Sequence, residues 1–308
     1  MPGLVLVTGG TGDIAGRCVA ELLRRGYDVR TTVRSPGRER AALDAVSTVA
    51  DLAGRLDFAS PPGVSTGTPD LLAPARKGTL RVLRAATAAG VRRAVATSAA
   101  NTASPSSHAS EGVTDETPWT DPKDPALIPC RRSKTLAEPA AWAFMRGHGG
   151  PTEPATVLPG AVFGPVPTAD TAGSVGIVAR MLSGAPGGPR IGLEAADVRD
   201  LVDVHPGAMT SPAAAGERFR ATGEFVWTAD LPWFLREGLG ERGRQVPTRR
   251  LPDFAVRLGA RFRDPALREI TPAPGRRPRP GPARETVLDC AGSLLAHGAV
   301  RVPAAQRP

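Results

Sequence analysis

The chain has 308 residues and a net charge of +9, with three cysteines, one tyrosine, four tryptophans and eight phenylalanines. That length can bury a full core, as one large domain or as a nucleotide domain with a smaller cap. The aromatics are too few for a nucleic-acid stacking platform. The basic residues are spread along the chain, and their densest cluster, Arg276-Arg277-Pro278-Arg279-Pro280, reads as a solvated loop. Cys18, Cys130 and Cys290 are far apart and odd in number, which fits neither a disulfide framework nor a zinc site and suits a reducing cytoplasm. The abundance of Ala, Arg, Gly and Pro fits a GC-rich bacterial genome, a statement about codons only.

The chain opens on a strand pattern, with no basic leader before an apolar run and no apolar stretch of about 18 residues. It is therefore expected to be soluble and cytoplasmic, without a membrane or nucleic-acid partner. Val5-Leu6-Val7-Thr8 runs into Gly9-Gly10-Thr11-Gly12-Asp13-Ile14-Ala15-Gly16, a strand, a glycine turn and a helix start. That order holds a dinucleotide pyrophosphate. Gly9 permits the turn, Gly12 lets the backbone approach the phosphates, and Ala15 lets the helix pack close to the strand. The free N–H groups at the helix start face an anion. Asp13 puts a carboxylate beside that anion. It either stabilises the helix N-terminus or, pointed at the pyrophosphate, opposes binding.

Residues 14–25 carry an apolar stripe at helical spacing, and Gly26 ends that helix. Asp28 to Val33 reads as the second strand, Ala41 to Val46 as part of a short helix, and Ser47 to Asp51 as the third strand. Only a short run then precedes Phe58-Ala59-Ser60, too little for a crossover between parallel strands, so that crossover is very short or one of these strands is not formed. A long helix is expected over 70–89, a strand over 93–98, a loop over 100–129, a helix over 131–147 kinked at Pro139, and a strand over 156–159. Beyond residue 165 come two amphipathic segments, 175–182 and 229–239, a Pro/Arg loop over 272–283 and a final helix over 284–297. Alternating strands and helices predict an α/β fold, a Rossmann-like doubly wound parallel sheet. The expected division is a nucleotide-binding domain over 1–165, with 196–223 returning to the sheet, and a substrate-binding cap from 166–195 and 224–308.

The ordered motifs Val-Thr-Gly-Gly-Thr-Gly (7–12), Thr-Val-Arg (32–34), Asp51-Leu52, Ala-Ser-Pro (59–61), Lys-Gly-Thr-Leu-Arg-Val-Leu-Arg-Ala-Ala (77–86), Thr97-Ser98, Ser-Lys-Thr-Leu-Ala-Glu (133–138), Pro-Gly-Ala-Val-Phe-Gly-Pro (159–165) and Asp-Val-Arg-Asp (197–200) run along nearly the whole chain. Through them the chain resembles the extended short-chain dehydrogenase/reductases (the NAD-dependent epimerase/dehydratase family), in the dihydroflavonol-reductase-like branch. The resemblance implies a Tyr-x-x-x-Lys pair in which tyrosine protonates a carbonyl oxygen, lysine holds the ribose hydroxyls, and a serine positions the carbonyl. Here Lys134 is the lysine and Cys130 stands at the tyrosine position. The family's Thr-Ser-Ser reads Thr97-Ser98-Ala99, which puts Ala99 at the serine position and leaves its neighbour Ser98 as the candidate catalytic serine. Cys130 is either an acid or nucleophile working through a bridging water, or a small residue left where a tyrosine was lost.

The same resemblance implies that Gly9, Thr11, Gly12, Asp13, Ile14, Arg34, Asp51, Leu52, Phe58, Ala59, Ser60, Lys134, Pro159, Gly160, Ala161 and Val162 surround the cofactor. Arg34, following the second strand where an acidic residue would bind the NAD ribose, favours NADP, with NAD the alternative. His205, after a strand over 197–200, reads as structural, and His108 and His148 receive no role. No metal is expected. The implied activity is NADP-dependent reduction of a small aldehyde or ketone by a monomer or homodimer. The alternatives are a non-redox biosynthetic enzyme (cyclase, isomerase or lyase) and a catalytically impaired cofactor-binding protein on the same scaffold.

Overall fold

The computed structural model describes residues 3–33, 36–47, 54–59, 72–104, 115–124, 127, 129–169, 173–189, 191–251 and 282–300. The first half of the chain alternates strands and helices: β1 (Leu4–Val7), α1 (Asp13–Arg24), β2 (Asp28–Thr32), α2 (Glu39–Ser47), β3 (Leu56–Ala59), α3 (Leu72–Ala88), β4 (Arg93–Thr97), α4 (Pro129–Gly147) and β5 (Glu153–Pro159). The second half follows with β6 (Ala161–Phe163), α5 (Val175–Leu182), β7 (Gly192–Asp197), α6 (Val198–Thr210), β8 (Arg218–Ala221), β9 (Phe225–Trp227), α7 (Leu231–Gly238) and α8 (Pro282–Ala296). No helix among the described residues is long and apolar enough to cross a membrane.

The apolar stripe of α1 becomes a buried face. Val19, Leu22 and Leu23 pack with Val29 of β2 and Val46 of α2. Gly26, with φ at 88°, closes the helix, as expected of a glycine just past a helix end. The third strand differs from expectation. Ser47 closes α2 instead of opening a strand, residues 48–53 lie outside the described residues, and β3 at Leu56–Ala59 pairs in parallel with β2. Placing the strand there leaves room for α2 in the crossover and removes the conflict that the sequence presented.

The parallel strands form two three-stranded sheets, β1-β2-β3 and β4-β5-β8, and β6, β7 and β9 make a small mixed sheet. The α/β, Rossmann-like arrangement of parallel strands expected from the sequence is present. Among the described residues, however, β1 and β4 are not hydrogen-bonded to each other, and Leu4 and Leu6 remain 61% and 51% exposed. Ligands of open α/β sheets bind in the crevice outside the carboxyl ends of the strands, and the glycine turn over 9–12 follows the carboxyl end of β1.

Helix α3 packs against α4, and α1 against α2 and α6. Neighbouring strand residues point to opposite faces. Thr97 accordingly reaches His205 on α6, whereas Ser98 reaches Glu138 on α4. The Asp-Val-Arg-Asp segment is not a strand. Asp197 ends β7 and its carboxylate accepts the amide of Arg199 at 2.8 Å, so Val198 begins α6. A second core beyond the sheet joins Phe163, Val178, Leu182, Leu231, Leu235 and Val287 from β6, α5, α7 and α8.

Candidate functional site

The glycine turn is built by backbone geometry. Gly9 takes φ at 80°, a left-handed conformation that L side chains rarely adopt, and its N–H donates to the Thr32 hydroxyl at 3.0 Å. The Gly10 N–H reaches the Thr32 carbonyl at 3.0 Å, and the Gly12 N–H folds back on the Gly9 carbonyl at 2.8 Å. Gly12, which has no side chain to donate or accept, is the N-cap of α1 and makes no side-chain cap hydrogen bond. Such a helix start is a ready anion site. Asp13 does not cap it. Its carboxylate accepts Arg17 Nε at 3.2 Å one turn along α1, and Arg17 also donates to the Pro165 carbonyl.

A cavity of about 1180 Å³ lies between β1 and β4. Gly12, Asp13, Ile14, Thr97, Val162 and His205 belong to its wall, together with the edge of β1 and apolar residues of α3. Lys134, on α4, reaches this wall by donating its ammonium to the Thr97 carbonyl at 3.1 Å. The Thr97 hydroxyl meets His205 Nε2 at 2.9 Å, and His205 Nδ1 lies 2.8 Å from the Leu201 carbonyl. A carbonyl only accepts, so Nδ1 carries the proton and the Thr97 hydroxyl donates to Nε2. Burial holds His205 below its ordinary pKa, a shift that the Leu201 bond opposes.

Ser98 is buried and donates to Glu138 at 2.6 Å. Thr102 donates to the same carboxylate oxygen, and Arg218 Nε donates to the other at 2.9 Å. Arg218 reaches the Glu116 and Pro118 carbonyls, and its guanidinium lies 3.7 Å from the centre of the Trp119 ring. One buried ion pair thus joins α4, the end of β4, β8 and the loop over 115–120.

Of the expected cofactor residues, Gly9, Thr11 and Gly12 form the turn, Asp13 and Ile14 open α1, and Lys134 is bonded to the Thr97 carbonyl. Pro159, Gly160, Ala161 and Val162 lead from β5 into β6, where Val162 packs with Ile14. Phe58 and Ala59 end β3, two strands from the cavity edge. Arg34, Asp51, Leu52 and Ser60 lie outside the described residues, as do His108 and the arginine cluster over 276–279. Cys130 lies on α4 one turn before Lys134, with its side chain outside the description. Tyr27, the only tyrosine in the chain, follows α1, packs beside the α1–β2 core and lines the cavity from there. Cys18 and Cys290 are free and buried, and burial pushes both thiols up to about 12, too high for nucleophilic work. Among the described residues no group of His, Cys, Asp and Glu could hold a metal ion. Reading the sequence missed the Glu138–Arg218 pair, whose members are distant in the chain. Arg17 could have been found from its four-residue spacing to Asp13.

A model of the NAD dependent epimerase/dehydratase family matches residues 5–218. The chain belongs to this family. This epimerase/dehydratase family member is 31% identical over 275 residues to dihydroflavonol 4-reductase of Zea mays, covering 76% of this chain and 74% of the relative. It is 33% identical over 210 residues to an anthocyanidin reductase of Vitis vinifera, covering 58% of this chain and spanning only 61% of that relative's length. Gre2 from Candida albicans, solved in complex with NADPH, matches in fold with a TM-score of 0.75 at 20% identity, over 96% of this chain and 99% of that one.

Proposed function

We propose that this family member is an NADP-dependent reductase of a small aldehyde or ketone. The observation that carries this reading is a cavity walled by the helix start after the glycine turn and by Thr97, whose carbonyl holds the Lys134 ammonium. These residues fit a dinucleotide: backbone amides for a pyrophosphate and a cation for ribose hydroxyls. The bound dihydronicotinamide would supply a hydride. Gly9, Thr11, Gly12 and Ile14 would hold the diphosphate, Pro159 to Val162 would line the nicotinamide side, and Arg34 would meet the 2′-phosphate. Lys134 holds the ribose and keeps positive charge beside the developing alkoxide. Cys130, standing in the tyrosine position one turn before Lys134, passes a proton through a bridging water. Ser98, committed to Glu138, positions the end of β4 and does not touch the substrate.

The test is incubation with NADPH and a panel of short aldehydes and ketones, with cofactor binding measured in parallel. Loss of the reduced-nicotinamide absorbance with at least one substrate is expected, faster with NADPH than with NADH. Cofactor binding without turnover across the panel overturns the reductase reading. One observation favours a second reading, a non-redox enzyme on the same cradle: a cysteine and not a tyrosine stands one turn before Lys134. Conversion of a carbonyl or hydroxyl compound with no net change in cofactor redox state identifies that case.

A further inference from the structure

The aspartate in the cradle raises a physical problem. The first turn of α1 carries the positive end of the helix dipole, the field that would hold a diphosphate. A lone carboxylate at Asp13 spends that field on itself and repels the anion. Asp13 is not alone. Arg17 sits one turn along, at 3.2 Å, and the two side chains are only 27% and 15% exposed, so solvent screens the pair incompletely. Arg17 also donates to the Pro165 carbonyl, just past β6. Cys290 on α8, bonded to the Gly164 backbone, feels the Asp13 charge. The carboxylate therefore lies on the side of α1 facing the 163–166 turn and α8.

We infer that Arg17 is a cofactor-affinity residue: by neutralising Asp13 and tying α1 to the turn after β6, it keeps the glycine cradle receptive to a dinucleotide diphosphate. The inference rests on the proposed cofactor use. It adds a residue that the glycine motif does not contain, and it assigns Asp13 as Arg17's partner and not as a ligand of the diphosphate. Charge and tether make separable predictions. If charge dominates, removing both partners restores binding, because the cradle is neutral again. If only the tether matters, the double variant stays as weak as the loss of Arg17 alone.

The experiment is calorimetric titration of NADPH into the wild type and into Arg17→Met, Arg17→Lys, Asp13→Asn and the double variant Asp13→Asn/Arg17→Met, each checked for folding by its thermal melt. Arg17→Met should bind about tenfold more weakly, the scale of removing one positive charge from beside an anion in a partly buried site. Asp13→Asn should bind at least as tightly as the wild type, Arg17→Lys should retain most of the affinity, and the double variant should return to within about threefold of the wild type. Should Arg17→Met fail to fold, Arg17→Lys and the double variant carry the comparison. Wild-type affinity in Arg17→Met, or a double variant as weak as Arg17→Met, overturns the inference while leaving the cofactor reading intact. A wild type that binds no NADPH overturns both.

Discussion

Replacing Glu138 with glutamine removes the negative member of a pair whose side chains are 3% and 9% exposed. The Arg218 guanidinium then keeps its charge in a site that water barely reaches. Three donors, from Ser98, Thr102 and Arg218, converge on a group that has lost one acceptor oxygen and gained an NH₂. Breaking a buried pair from one side costs about 3–5 kcal/mol, because the remaining charge stays desolvated. At about 2–3 °C per kcal/mol for a large domain, Glu138→Gln should melt roughly 6–15 °C below the wild type. Differential scanning calorimetry measures this directly. A second variant isolates the cause: Glu138→Leu with Arg218→Met removes both charges and should recover much of the loss, since apolar replacements of whole buried pairs are often tolerated. Glu138 lies one turn beyond Lys134, and Ser98 follows the carbonyl that Lys134 binds, so NADPH affinity should fall with stability in the single variant. A Glu138→Gln protein melting within about 2 °C of the wild type would refute the reasoning.

Cys130→Tyr restores a phenol one turn before Lys134 and should raise carbonyl reduction by about 10²-fold, the scale of a positioned general acid, without changing NADPH affinity; an unchanged rate tells against a surviving reductase pocket. His205, held below its ordinary value of 6.5 by burial, takes up its proton at lower pH when folded than when unfolded, so its contribution to stability is intact above about 6.5 and declines as the pH falls below it. Urea melts between neutral and mildly acidic pH should show that decline in the wild type and a flatter profile in His205→Gln; parallel profiles would count against the assignment. Gly160→Ala would place a Cβ 2.1 Å from the Glu194 carbonyl, and because that neighbour is backbone the β5–β6 link must shift, costing about 1–3 kcal/mol in a denaturant melt. An alanine variant as stable as the wild type would show that the close approach is not required.

Much of the first half was legible in the amino-acid order. The stripe of α1, its glycine stop, the β2, α3, β4 and β5 segments and the α5 helix follow from spacing within a few residues, because local periodicity decides them. Short elements were not legible. Strands β6 and β9 are three residues long, too short to show alternation, and the β7–α6 boundary turns on one capping carboxylate, Asp197. The apolar residues before and after 54 fit a strand equally well in the sequence, and the pairing with β2 shows that Leu56–Ala59 is one.

The sequence by itself determined the family, the glycine turn, the Lys134 helix and the absence of a tyrosine beside it, since these are local motifs or simple residue identities. Tertiary structure alone decided what each polar side chain does. It turned Ser98 toward Glu138, brought Arg218 across from β8, set Thr97 against His205, and carried Arg17 to the 165 carbonyl. The reason is physical. A charge or hydroxyl has several acceptable partners, and the choice depends on which distant groups burial places within hydrogen-bond reach.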